Sequence, residues 1–149
     1  MSDQADAAPF NFHTLPEDQQ LCFAGALFAM SAADREMDDA ETERIVATME
    51  LSGLSEEGRR RILAQAIQPP PLERCLIEFR DTGFDVRRAL MRELIGVVLA
   101  DDSIEPGEHL GLLQARRILD LSHDDVAELH DEAYAATRAA GQAGTAPSA

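Results

Sequence analysis

Ala33-Asp34-Arg35-Glu36-Met37-Asp38-Asp39-Ala40-Glu41 has a counterpart 67 residues further on, Ala100-Asp101-Asp102-Ser103-Ile104-Glu105-Pro106-Gly107-Glu108. Each stretch reads Ala-Asp, two residues, an aliphatic residue, three residues, Glu. The match continues without a gap, since Leu51-Ser52-Gly53-Leu54-Ser55-Glu56-Glu57 falls on Ile118-Leu119-Asp120-Leu121-Ser122-His123-Asp124. A register kept through two loops implies one helical unit built twice. It also sets an Asp and a Glu at matching points of both halves.

Working outward from these stretches, the chain reads as seven helices and no strands, because no useful length alternates with period two. The first helix begins at Thr14-Leu15-Pro16-Glu17, a capping-box spacing, and runs to about Ala33. The second starts at Asp38 or Asp39 and ends near Ser52-Gly53. The third opens at cap Ser55, with Leu54 as its staple, and stops before Pro69-Pro70-Pro71. The fourth spans about Pro71 to Arg80 and is closed by Gly83 as a C-terminal cap. The fifth starts after Asp85 and runs to Ala100. The sixth has Pro106 at its first position, where a missing N–H costs nothing. The seventh follows cap Ser122, with Leu121 and Val126 as the staple.

This is an all-α domain over residues 14–140. Helices one to three (about 17–67) correspond to five to seven (about 84–138) as pseudo-twofold repeats, and helix four links them. Residues 1–13 read as a disordered acidic leader and 141–149 as a disordered tail. Helices one and five are apolar nearly all round (Leu21, Phe23, Leu27, Phe28, Met30; Leu90, Leu94, Ile95, Val97, Val98), so they belong at the centre. Stripes such as Ile45, Val46, Met49 and Val126, Leu129, Ala133 pack around them.

The net charge of −15 over 149 residues opposes nucleic acid and direct docking on an anionic membrane. It fits a solvated acidic surface, a cation site or a basic partner. There is no secretory signal, and the longest apolar stretches are too short for the roughly 20 residues of a membrane span. Cys22 and Cys75 read as small core residues in a reducing, cytoplasmic compartment; a redox pair has no CxxC spacing behind it. His123 and His130 share a helix face, with His109 elsewhere, and read as surface histidines. Arg59-Arg60-Arg61 reads as a solvated face, or as a docking point for an acidic partner or phosphate.

The acidic loops carry the functional expectation. Asp34 and Asp101 follow the ends of apolar helices, where the dipole disfavours a carboxylate by about 0.3–1 kcal/mol. Glu36, Asp38 and Asp39 follow in the first loop, Asp102 and Glu105 in the second. Glu41 and Glu108 lie one turn into the next helix, so each loop can present oxygens to a hard cation, Ca²⁺ or Mg²⁺. The expected metal ligands are therefore Asp34, Glu36, Glu41, Asp101, Asp102, Glu105 and Glu108. Glu41 and Glu108 equally fit capping boxes with Asp38 and Glu105. An EF-hand is excluded, because Ile45 and Leu112 stand where a bidentate Glu is required.

The doubled Ala-Asp…Glu unit, closing one apolar helix and opening the next, resembles the TerB-like family, the helical module of bacterial tellurite-resistance systems and of certain J-domain co-chaperones. The resemblance covers about residues 17–138. It implies an all-α fold of pseudo-twofold repeats, an acidic metal-binding cluster, and a non-catalytic role in a stress-response complex near a membrane. The family Asp falls on Asp34 and Asp101 and the family Glu on Glu41 and Glu108. Arg35 and Asp102 stand where the family has Gly. The expected function is thus a cytoplasmic module presenting an acidic, metal-binding surface to a protein partner. A helical scaffold without metal and a carboxylate-metal enzyme are the alternatives.

Overall fold

The computed structural model describes residues 12–32, Glu43, Ile45, Val46, and residues 53–99 and 106–144. A 3-10 turn, Phe12–Thr14, precedes six α-helices: α1 (Glu17–Ser31), α2 (Glu56–Ile67), α3 (Leu72–Ile77), α4 (Phe84–Leu99), α5 (Pro106–Ile118) and α6 (His123–Gly144). Among the described residues there is no strand. The second helix expected from the sequence falls almost wholly outside them; its described members Glu43, Ile45 and Val46 are helical, with Ile45 buried.

The segment that forms α1 contains neither proline nor a β-branched residue, so its helix propensity is interrupted only at Gly25. It buries residues on every side, among them Leu21, Phe23, Leu27, Phe28 and Met30. Helix α4 likewise buries Leu90, Met91, Leu94, Ile95, Val97 and Val98. These two form the centre: α1 packs against α2, α3, α4 and α5, and α4 packs most extensively on α6. Phe23 anchors one side of the core, with edge-to-face rings of Phe12 at 5.3 Å and Phe79 at 6.0 Å. Each large side chain so buried contributes about 1.5–3 kcal/mol.

Several element ends differ from the sequence reading. Phe12, assigned to the leader, packs on the core. The α1 N-cap is Pro16, whose carbonyl accepts the Gln20 N–H at 3.0 Å, and no side chain caps it. Glu17 is then the first helical residue, not the third, and its carboxylate bonds to Ser55. Helix α3 is shorter than expected; after Ile77 the chain tightens into i→i+3 turns, with Phe79, Arg80 and Thr82 N–H groups bonded to Leu76, Ile77 and Phe79 carbonyls. Gly83 does not close α3. Its carbonyl accepts the Arg87 N–H at 3.1 Å, which makes it the start of α4, and its φ is not positive. The described non-glycine residue with left-handed backbone is Asp120 (φ 54°), at the end of α5, a conformation Asp tolerates. Helix α6 continues to Gly144, beyond the expected end at 140.

Candidate functional site

The expected metal ligands Asp34, Glu36, Glu41, Asp101, Asp102 and Glu105 lie outside the described residues, and Glu108 is placed by its backbone alone, in the first turn of α5. What the described residues define is the ground to which both acidic stretches are attached. The last turn of α1 (Ala29, Ala32), prolines 69–71 and the face of α5 carrying Leu110, Gly111 and Gln114 enclose a cleft of about 460 Å³. Ala32 is two residues before Asp34, and Leu110 two residues after Glu108. Two residues of chain span at most about 7 Å. Ala32 and Leu110, which line this one cleft, are thus each two residues in sequence from an expected ligand.

Small side chains make this cleft. Ala29 and Ala32 leave its wall low, and the triproline run adds rings that donate no hydrogen bond. Gly111 lets α5 approach closely: a Cβ there would lie 3.0 Å from Met30 Sδ and Cε and 3.3 Å from Leu72 Cδ2. Leu110, 64% exposed, stands at the opening. No charged residue is among the described residues lining it.

A second cleft of about 690 Å³ lies between α4 and α6, lined by Phe84, Asp85, Arg88, Arg92, Leu129 and Glu132 among others. Its two arginines are already paired. Arg88 Nη2 reaches Glu132 at 3.1 Å and Glu128 at 3.3 Å, and Arg92 Nε lies 4.0 Å from Glu132. The Phe84 ring lies beneath the guanidinium groups of Arg87 and Arg88 at 5.6 and 5.7 Å. Arg87 in turn donates to the Leu119 and Asp120 carbonyls at 2.8 and 3.2 Å, tying α4 to the end of α5. This cleft is a strut between helices.

The described carboxylates and thiols have structural environments. Ser55 caps α2 by accepting the Gly58 N–H at 2.9 Å, as its position predicts. The carboxylate that completes this cap comes from another helix: Glu17 accepts from the Ser55 N–H at 2.7 Å and from its hydroxyl at 2.9 Å. These bonds hold the Glu17 carboxyl below its ordinary value. In α6 the box is local, Ser122 N–H to Asp125 and Asp125 N–H to Ser122 Oγ, both at 3.0 Å, and the Asp125 carboxyl is held low by the Ser122 bonds. Glu93, half-buried on α4, is pushed up by burial against the opposing pull of Arg92. Burial raises both thiols, Cys75 to about 12, which keeps them protonated and poorly nucleophilic at neutral pH.

The arginine run is dispersed in its roles. Arg59 donates to the Leu54 carbonyl at 2.8 Å, while Arg60 pairs with Glu57 at 3.0 Å and Glu56 at 3.5 Å. His130 stacks on Tyr134 with ring centroids 6.3 Å apart. Among the described residues no three His, Cys, Asp or Glu side chains form a metal-ligating group, and no helix is long and apolar enough to cross a membrane. The cleft and the Glu17–Ser55 bond were not anticipated from sequence. The triproline run beside Leu110, a large apolar residue on a polar helix face, is the signal that points to the cleft. Comparison of the chain with protein-family models, curated proteins and solved structures finds no match.

Proposed function

We propose that this chain is a non-catalytic, cytoplasmic TerB-like module of a stress-response complex, with seven helices arranged as two three-helix repeats and a linking helix. Its acidic end takes a divalent cation and faces a protein partner. The observation that carries the reading is the shared cleft: Ala32 and Leu110, next to Asp34 and Glu108 in sequence, line the same space. Two expected ligands from distant stretches of chain, Asp34 and Glu108, are each two residues in sequence from this lining, and carboxylates brought close together would favour a cation. The repeat is supported by helix starts that keep its register. Glu17 and Phe84 open α1 and α4, Glu56 and His123 open α2 and α6, and both pairs are 67 residues apart. Leu27 and Leu94, and Leu54 and Leu121, are buried pairs at the same offset.

The rival reading, a helical scaffold whose acids only cap, is favoured by Glu17 and Asp125, which both complete helix starts. Thermal melts with and without Ca²⁺ or Mg²⁺, on the wild type and on Asp101→Asn with Glu108→Gln, decide between them. A cation that binds only the folded chain should stabilise it by about 2.7 kcal/mol at one hundred times its dissociation constant. The double variant should lose that response. A wild-type melt that no cation moves leaves the scaffold reading.

A further inference from the structure

We infer that the cleft between α4 and α6 is the seat of a short amphipathic helix from a partner protein, which lays an apolar face on Phe84 and Ala89 and a carboxylate on Arg92. The inference rests on the two-repeat reading given above, because the first half of the chain carries its own cover for the matching edge.

Two helix pairs repeat one contact. In the first half α2 packs on α1, and Gln65 Nε2 lies 3.3 Å from where a Cβ at Gly25 would stand. In the second half α6 packs on α4, and Glu132 lies 4.0 Å from Arg92 Nε. Glu132 and Arg92 are the positions of Gln65 and Gly25 moved by 67 residues. Buried Ile62 and Leu129 share that offset, as do half-buried Cys22 and Ala89. The first edge is closed: Cys75 Sγ of α3 lies 2.9 Å and Pro70 Cγ 3.0 Å from the Cβ position at Gly25. The second edge is open. The Arg92 side chain is 46% exposed, Phe84 is 45% exposed, and about 690 Å³ lies between the helices. A large apolar ring left in water beside a concave surface marks an interaction site more than isolated exposure does.

The difference originates in the sequence that follows α2 and α6. Pro69-Pro70-Pro71 ends α2, because proline has no N–H to continue the ladder, and the chain turns back over α1 as α3. At the matching positions stand Ala136-Thr137-Arg138, which impose no break, so α6 runs on to Gly144 through the counterparts of α3. The second edge thereby loses its covering helix. α3 cannot serve both edges, since its Cys75 and Leu76 are buried. A second copy of the chain buries its own α3 in the same way, so the occupant belongs to a different protein.

Charge fixes the chemistry of that occupant. Arg92 stands where the first half has Gly25, and Glu132 is held more closely by Arg88, at 3.1 Å, than by Arg92. A carboxylate at the position that Cys75 occupies in α3 therefore gains a pairing with Arg92. Asp85 lines the other end of the cleft, seven residues earlier and roughly 10.5 Å along α4, and faces a base on the same helix. The apolar lining, Phe84, Ala89 and Leu129, takes the apolar face between them.

The probe is a fluorescein-labelled peptide with the sequence of residues 68–80, in which Cys75→Glu supplies the acid and Arg80 the base. It is titrated with the full chain at about 150 mM salt, beside a Cys75→Lys peptide as control. The Cys75→Glu peptide should bind and shift the amide resonances of Ala89, Arg92 and Leu129. Arg92→Glu, at an exposed position, should keep the helical spectrum, weaken that peptide roughly tenfold or more, and gain affinity for the Cys75→Lys peptide. Phe84→Ser is the second variant and should weaken the Cys75→Glu peptide as well. Leu110→Gln, in the other cleft, should leave its binding unchanged. Failure to saturate up to about 1 mM peptide, equal binding of the two peptides, or an affinity that neither Arg92→Glu nor Phe84→Ser moves would each overturn the proposal. Superposition of residues 17–67 on 84–134 in a crystal structure judges the repeat by itself. Halves that superpose without peptide binding keep the repeat and remove the groove, and halves that do not superpose remove both.

Discussion

Ser55 and Ser122 open α2 and α6 with the same bond, a hydroxyl oxygen accepting the N–H three residues on, yet different carboxylates complete them. In α6 the acid is local, Asp125. In α2 the corresponding residue is Gly58, and Glu17 of α1 reaches across to supply the missing oxygens. Ser55→Ala should therefore cost about 0.5–2 kcal/mol as a lost cap, and Glu17→Gln should destabilise by the same route, so that the two changes are not additive. The sign with pH follows from the depressed Glu17 carboxyl. Its contribution is present above the unfolded value of 4.5 and is lost as pH falls through the lower folded value. Urea unfolding across pH should show the gap between wild type and Ser55→Ala steady near neutrality and narrowing in acid. A gap that is equally wide at about pH 3 would mean that the carboxylate adds nothing to the cap. The two serines were legible as caps because capping is local. The use of Glu17 was not, because its partner is 38 residues away in sequence.

At the scale of an element, α1 and α4 each contain a glycine, and their surroundings differ. A Cβ at Gly25 would meet Cys75 Sγ at 2.9 Å, Pro70 Cγ at 3.0 Å and Gln65 Nε2 at 3.3 Å. At Gly96 a Cβ would meet nothing within 4 Å. Helix propensity alone favours alanine at both positions by about 1 kcal/mol. At Gly25 the steric term wins, because a proline ring and a buried cysteine have little room to yield. Gly25→Ala should destabilise by about 1–3 kcal/mol, whereas Gly96→Ala should be neutral or stabilise by up to about 1 kcal/mol. Paired denaturant melts check both, and a stabilised Gly25→Ala would mean that α2 and α3 sit more loosely on α1 than these distances imply. The helices themselves were readable from periodicity, Pro106 and the two serine caps. The end of α3 was not, because its tight turns depend on where Phe79 is buried, not on a glycine.

For the whole molecule, the central position of α1 and α4 follows from apolar residues on all sides of both helices. Leu94 is wholly buried in this centre. Leu94→Ala should cost about 2–5 kcal/mol in chemical denaturation, from lost burial and the cavity left behind. A change below about 1 kcal/mol would place α4 at the periphery. Around this core all 13 basic residues are arginine, with no lysine in the chain. The forked guanidinium suits the tasks seen here: Arg87 binds the Thr82, Leu119 and Asp120 carbonyls together, and Arg88 bridges Glu128 and Glu132. Arg87 and Arg88 thus join helices rather than stand free in solvent.

Sequence by itself determined the helical class, the buried pair α1 and α4, and the caps at Ser55 and Ser122. All of these arise from interactions within a few residues or from the side-chain period of a helix. Only the tertiary structure decided that Glu17 completes a distant cap, that Gly25 and Gly111 are points of close approach, and that Ala32 and Leu110 border one cleft. Each of these depends on which helices touch and at what height along their axes. That is set by the summed packing of many side chains far apart in sequence, which no local spacing encodes.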